Sequence, residues 1–301
     1  MGILRMKAQL INKQPSLDEI RIALEKTNTN GFNHENPLKP VIIENIDEIR
    51  DYEVKELVER YYQYGFVIYE LNGDSKGNKA IYNIADAINL GNPFVPNHYK
   101  KNSQMYQSNK LNVITAGNEN NHMAFKGDNN QGLHSDGTVN KIGELKTTLL
   151  FCESMAAEGG KSILFHTMDA FAELVTVNPE VALSLFHEES LKRKADIIFE
   201  ETHIGPAFAI ENGEIVTRFT LDHTAYWEYG FERVEHLEQA FSFLKDRAQP
   251  GNKHYKEFLL LNNQGIIMAN DKISHGRLAF KDSDQQKRKM LRGVFQTRPS
   301  F

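Results

Sequence analysis

The chain has one cysteine, Cys152, in 301 residues. No internal disulfide is possible, so apolar burial and hydrogen bonding must hold the fold. Cys152 sits in an apolar run and reads as a small core residue rather than a thiol nucleophile. Long apolar stretches are missing as well. None approaches the roughly 20 residues a helix needs to cross a bilayer. The first fifteen positions lack the apolar centre of a secretory signal. No membrane partner is expected, and a cytoplasmic location is the default expectation. Positive charge is not in excess either: the net charge is −5, with no long basic run. Phosphate contacts need a positive surface, so no nucleic-acid partner is expected. Internal repeats and low-complexity tracts are absent.

What is present is ordinary for a globular protein: 40% hydrophobic and 25% charged residues. Ser16-Leu17-Asp18-Glu19 has the form of a capping box and predicts a short helix over 17–26. An Asn-, Gly- and Pro-rich loop follows over 27–40, then a strand at 41–43. Ile49, Val54, Leu57, Val58 and Tyr61 recur at helical spacing within 47–64, and 65–69 reads as a strand. Helical character returns over 168–187, broken near Pro179, and over 233–247. Further strands are expected at 215–219, 266–268 and 291–296. Many short strands, few helices and no βαβ alternation predict a mainly β fold with flanking helices, a sandwich or jelly roll. No domain boundary is visible. One domain is expected over 1–301, with a helical N-terminal extension over about 1–40 and a polar, lid-like loop over about 97–131.

The chemistry concentrates in Leu133-His134-Ser135-Asp136-Gly137 and Ile273-Ser274-His275-Gly276-Arg277. On a strand, residues i and i+2 point to one face. His134 and Asp136 can therefore reach one metal ion, and a histidine from a distant strand can complete the set. Two histidines and one carboxylate leave three open positions, the arrangement of non-haem Fe(II) oxygenases. The chain has eleven histidines. His275 is the expected third ligand, and His223 is its rival.

Four features then occur in order. They are His134-Ser135-Asp136; the turn Gly159-Gly160-Lys161-Ser162-Ile163-Leu164-Phe165; His275-Gly276-Arg277-Leu278-Ala279-Phe280; and Arg288-Lys289-Met290-Leu291-Arg292. This pattern resembles the Fe(II)/2-oxoglutarate dioxygenases of the taurine dioxygenase and clavaminate synthase type, over roughly 52–292. The resemblance implies a double-stranded β-helix and the cofactors Fe(II), 2-oxoglutarate and O2. It implies His134, Asp136 and His275 as metal ligands. It implies Arg288 for the distal carboxylate of 2-oxoglutarate, since a planar guanidinium suits a carboxylate, with the Ser162 hydroxyl assisting. Arg277 is expected to form a structural ion pair beside the metal ligand.

The implied reaction is hydroxylation of an unactivated C–H with release of succinate and CO2. In related halogenases the carboxylate ligand is replaced by glycine or alanine, so an intact Asp136 argues for hydroxylation. The segments around His134 resemble the branch that acts on free amino acids, basic or polar ones in particular. On that reading Arg292 meets the substrate carboxylate, and Glu119, Asp222 or Glu228 meets its ammonium. Trp227 and Tyr226 would wall its aliphatic part. The rivals are a sulfonate or other small carboxylic acid as substrate, a peptidyl hydroxylase, and a metal-binding jelly roll without redox activity.

Overall fold

The computed structural model describes residues 14–27, 31–32, 37–73, 77–95, 110–117, 127–195 and 201–301. Its frame is two β-sheets. The larger has six strands, ordered Val41–Ile43, Phe66–Leu71, Gln264–Ala269, Thr147–Ser154, Lys289–Phe295 and Asn112–Ile114. The smaller runs Tyr255–Phe258, Ser162–Phe165, Ser274–Arg277 and Gln131–His134. Apart from the parallel first pair, neighbours in both sheets are antiparallel. This is the expected mainly β architecture of the double-stranded β-helix type, with helices on its flanks.

The central strands of the large sheet are buried on both faces, and their sequences show it. In Phe66–Leu71, Val67, Tyr69 and Leu71 enter one apolar cluster while Phe66 and Ile68 enter another. Ile267 and Ala269 against Ile266 and Met268 repeat the division on the neighbouring strand. Such strands read as continuous apolar runs rather than as alternation. The outer cluster is closed by helices Asp51–Tyr64 and Lys79–Ala87, through Leu57, Val58, Tyr61, Ile81 and Ile84. The inner cluster joins Ile68, Cys152, Ile266 and Met290 to Leu164 and Ile273. Burial pushes the Cys152 thiol up to about 11, which suits a core residue and not a nucleophile. A third cluster packs helices Thr167–Val177 and Leu237–Arg247 against Phe165, Phe208 and Phe219.

Local signals placed most elements well. Helix Leu17–Lys26 starts on the capping box, with Ser16 and Glu19 bonded reciprocally. Helix Asp51–Tyr64 stops where Gly65 takes a left-handed φ of 76° and its N–H returns to the Tyr61 carbonyl. Two expectations need changing or limiting. The helix placed over 233–247 begins only at Leu237. Within the stretch read as a loop, Asn112–Ile114 is a strand on the edge of the large sheet. Its three residues are too few to show periodicity beside so many asparagines. Much of that stretch, 96–109 and 118–126, lies outside the described residues. Among the described residues no helix is long and apolar enough to cross a membrane.

Candidate active site

His134 ends one strand of the small sheet and His275 sits on its antiparallel neighbour, directly opposite in register. Cross-strand partners face the same side, and the two imidazole centroids are 4.4 Å apart. Asp136 follows just beyond the strand end. Nε2 of His134 is 3.9 Å and Nε2 of His275 is 3.7 Å from a carboxylate oxygen of Asp136. One ligand atom from each of the three lies within 4.8 Å of the other two. Among the described residues no other group of three or more His, Cys, Asp or Glu converges in this way. His223, the rival third ligand, is exposed and outside the group.

The donor set fits a divalent first-row metal. Both imidazoles turn Nε2 inward. The Nδ1 of His134 lies 2.9 Å from the Gly132 carbonyl, which assigns it the N–H and leaves Nε2 a lone pair. Burial, then His134, pushes the His275 imidazole down to about 3, so it stays neutral. Burial alone would raise Asp136. Arg292 outweighs it, then His275 and His134, and the Thr148 hydroxyl adds to them; the carboxyl is held well below the usual carboxylate range. Two neutral imidazoles and one carboxylate are what a divalent cation requires.

The carboxylate is also fixed in direction. Arg292 Nη1 donates to one oxygen at 2.7 Å, and the Thr148 hydroxyl donates to the other at 2.7 Å. Both come from the large sheet, so the site straddles the two sheets. Asn112 takes Nε and Nη2 of the same arginine on its side-chain oxygen, at 3.2 and 2.8 Å. Asn270 holds the backbone: its Oδ1 accepts the Asp136 N–H at 2.7 Å, and its Nδ2 donates to the Asp136 and Leu145 carbonyls. Asn270 lies on the turn that leads to His275, so one side chain ties together the segments carrying two of the three residues. The sequence reading took it for a turn residue only. Its position five residues before His275 was the signal on hand, and the signal named no partner.

Beside the triad is a cavity of about 40 Å³ lined by His134, Ser162, His275, Arg288, Met290 and Arg292 among others. Arg288 is 9% exposed. Its guanidinium stands over the Phe280 ring at 5.3 Å, and among the described residues no carboxylate pairs with it. The Gly159-Gly160 turn packs beside it, close against Ala279. Both glycines have a φ of 73°, and a Cβ on Gly160 would meet Arg288 Nε at 3.6 Å, while one on Gly159 would meet the Ala279 carbonyl at 2.5 Å.

The remaining expectations divide. Asp222 is mostly buried. The burial that would raise it is outweighed by His134, then by Arg193 and Thr224, so it stays below its usual range; it also acts electrostatically on His275. Its Oδ1 accepts the Thr224 N–H at 2.9 Å and the Thr224 hydroxyl at 2.5 Å. Glu119 lies outside the described residues. Glu228 is exposed on the short helix Glu228–Phe231, and Tyr226 is 38% exposed. Trp227 is a correction. It is 3% exposed, packs at a tilt against Phe219 and Phe241 at 5.5 and 4.9 Å, and donates its indole N–H to the Thr220 carbonyl. A ring so enclosed is core, not a substrate wall. Arg277 is a second correction. It pairs with no carboxylate among the described residues; its Nη2 donates to the Gly127 and Asn129 carbonyls instead.

A family model for taurine catabolism dioxygenase TauD, TfdA family, matches residues 29–294. The chain belongs to that family. It is an Fe(II)/2-oxoglutarate-dependent dioxygenase that uses O2. A uridine-5'-phosphate dioxygenase of Amycolatopsis sp. is 28% identical over 246 residues, covering 81% of this chain and 89% of its own. Among solved structures, an asparagine oxygenase in complex with Fe(II), 2S,3S-3-hydroxyasparagine and succinate aligns with a TM-score of 0.57 at 11% identity, over 94% of this chain and 92% of its own. AAD-2 in complex with Mn(II) and N-oxalylglycine gives 0.58 at 14%, over 84% and 92%. At such identities the structural likeness speaks to the fold.

Proposed function

We infer that His134, Asp136 and His275 hold the Fe(II), that Arg288 with Ser162 holds the distal carboxylate of 2-oxoglutarate, and that the reaction is hydroxylation of an unactivated C–H in a small polar molecule. The convergence of two imidazoles and one ionised carboxylate beside a cavity with a buried arginine carries this reading. When bound there, the metal supplies the redox chemistry that couples O2 and 2-oxoglutarate decarboxylation to C–H oxidation. The chain supplies position. Gly132 orients one imidazole; Thr148, Arg292 and Asn270 fix Asp136; Arg288, with no ion pair among the described residues, offers its guanidinium to an anion. A carboxylate at position 136, rather than glycine or alanine, supports hydroxylation over halogenation.

For the substrate, we place a nucleoside 5'-phosphate first. The similarity to uridine-5'-phosphate dioxygenases, spread over four fifths of the chain, supports it. A free amino acid, basic or polar, is the second reading. Asp222 favours it, since a mostly buried acid acting on both histidines is suited to meet an ammonium. Against it, the substrate carboxylate assigned to Arg292 would compete with Asp136 and Asn112 for that guanidinium.

The test is succinate release with Fe(II) and 2-oxoglutarate, run against uridine 5'-phosphate, other nucleoside 5'-phosphates, lysine, arginine, ornithine and the polar amino acids. Mass spectrometry follows the substrate. Turnover confined to nucleotides retires the amino-acid reading, and turnover confined to amino acids retires the nucleotide one. A chain that binds no Fe(II) or 2-oxoglutarate defeats the site assignment itself.

A further inference from the structure

Arg277 follows His275 by two residues on the strand Ser274–Arg277, so its side chain leaves the sheet on the metal-facing side. Its cross-strand partner on the neighbouring strand is Ser162. Two guanidinium groups stand over the single ring of Phe280, Arg277 at 4.5 Å and Arg288 at 5.3 Å. Both arginines are buried, at 7% and 9% exposure, and both line the cavity beside the triad. Neither guanidinium forms an ion pair among the described residues; Asp282 acts on both and Asp128 on Arg277 only from farther off. Arg277 spends Nη2 on two backbone carbonyls, while its Nη1 is buried with no hydrogen-bond partner among the described residues.

That arrangement is costly as it stands. Like charges repel strongly where the dielectric is low, and a buried N–H without an acceptor has lost its water for nothing. One anion placed at this end of the cavity would relieve the repulsion and satisfy the orphan donor together.

We propose that Arg277 is a second co-substrate-binding residue, which with Arg288 grips the distal carboxylate of 2-oxoglutarate and sets the preference for a dicarboxylic over a monocarboxylic 2-oxo acid. Each guanidinium gives N–H donors to the carboxylate, with the Ser162 hydroxyl opposite Arg277 in register. The proposal rests on the assignment of Arg288 made above.

The test is a pair of anaerobic binding titrations on the Fe(II)-loaded full chain, with 2-oxoglutarate and with 2-oxobutyrate, which lacks the distal carboxylate. Arg277→Met removes the guanidinium. Arg277→Gln also removes the charge but keeps an N–H for the 127–129 carbonyls, so it carries the same test if the methionine variant does not fold. Loss of one partner from a buried charge pair predicts a Kd for 2-oxoglutarate raised about 30-fold or more. The Kd for 2-oxobutyrate and for the metal should stay within about twofold, so the ratio of the two acids collapses. An unchanged ratio, or an equal loss for both acids, overturns the proposal and leaves Arg277 as a tie to the 127–129 backbone. Arg288→Met separates the two claims: if it leaves 2-oxoglutarate affinity untouched, the assignment of Arg288 fails first.

Discussion

Two buried aspartates in this protein stand in near-identical burial and opposite chemistry. Asp136 and Asp169 have side chains 6% and 5% exposed, and each follows a histidine closely in sequence. Asp136 has Arg292 and Thr148 on its oxygens and a side-chain amide on its backbone, and it is held ionised. Asp169 lies 3.4 Å from the Nδ1 of His166, and its Oδ1 has no hydrogen-bond partner among the described residues. Burial, only partly offset by Lys253, pushes Asp169 up to about 8. Burial, then His254, pushes His166 down to about 3. That pair is neutral at pH 7. Burial therefore does not make a metal site; the cation and donors that keep the carboxylate charged do.

The largest effect is expected from removing the charged member. Asp136→Ala should abolish coupled turnover, with succinate release down by more than about 1,000-fold, because the proposed metal site loses its carboxylate ligand. Retained turnover would mean that the carboxylate is not a ligand. Next comes Arg292→Met, which turns Asp136 into a carboxylate resembling Asp169. The expected loss in Fe(II) affinity at pH 6 is about 100-fold, in line with the 3–5 kcal/mol for breaking a buried pair. Because Asp136 is depressed in the fold, its pairing stabilises above the unfolded value of roughly 4 and is lost as pH falls. In the variant that loss should begin at higher pH, which a pH series of metal titrations reads directly.

Asn270→Ala should lower kcat by about tenfold with the metal still bound, since one misplaced hydrogen-bonded support costs roughly 1–3 kcal/mol. An unaltered kcat would reduce Asn270 to a turn residue after all. The smallest effect is on the other aspartate. Between the unfolded value near 4 and about 8, folded Asp169 keeps a proton that the unfolded chain has released, so stability falls as pH rises through that window. Asp169→Asn should flatten that slope and raise the Tm at pH 8 by about 5 °C. A variant with a lower Tm at pH 8 would show that the carboxylate is charged and useful in the fold.

The comparison also separates what the sequence could show from what it could not. Ser16 and Glu19 announced their helix because the capping bonds span three residues. Strand spacing put His134 and Asp136 on one face, and the order of His134-x-Asp136, the Gly159-Gly160 turn, His275-Gly276-Arg277 and Arg288 pointed to the fold and the third ligand through its resemblance to the family. Asn270 and Asp136, 134 positions apart, and Arg292 and Asp136, 156 apart, meet only in the folded chain. Nothing local encodes those meetings. Trp227 shows the converse: it was a candidate wall for the substrate's aliphatic part, but its partners Phe219 and Phe241 make it core. The strand at Asn112–Ile114 was hidden because sheet-edge pairing with Met290–Arg292 defines it, not its own three residues.

The most direct test of the site is a crystal structure of the chain soaked anaerobically with Mn(II) and N-oxalylglycine, with the metal placed by anomalous scattering. One ion per chain is expected within roughly 2.0–2.3 Å of Nε2 of His134, Nε2 of His275 and a carboxylate oxygen of Asp136, with the distal carboxylate of N-oxalylglycine on Arg288. An ion bound elsewhere, His223 in its coordination shell, or His275 turned away from it would contradict the account.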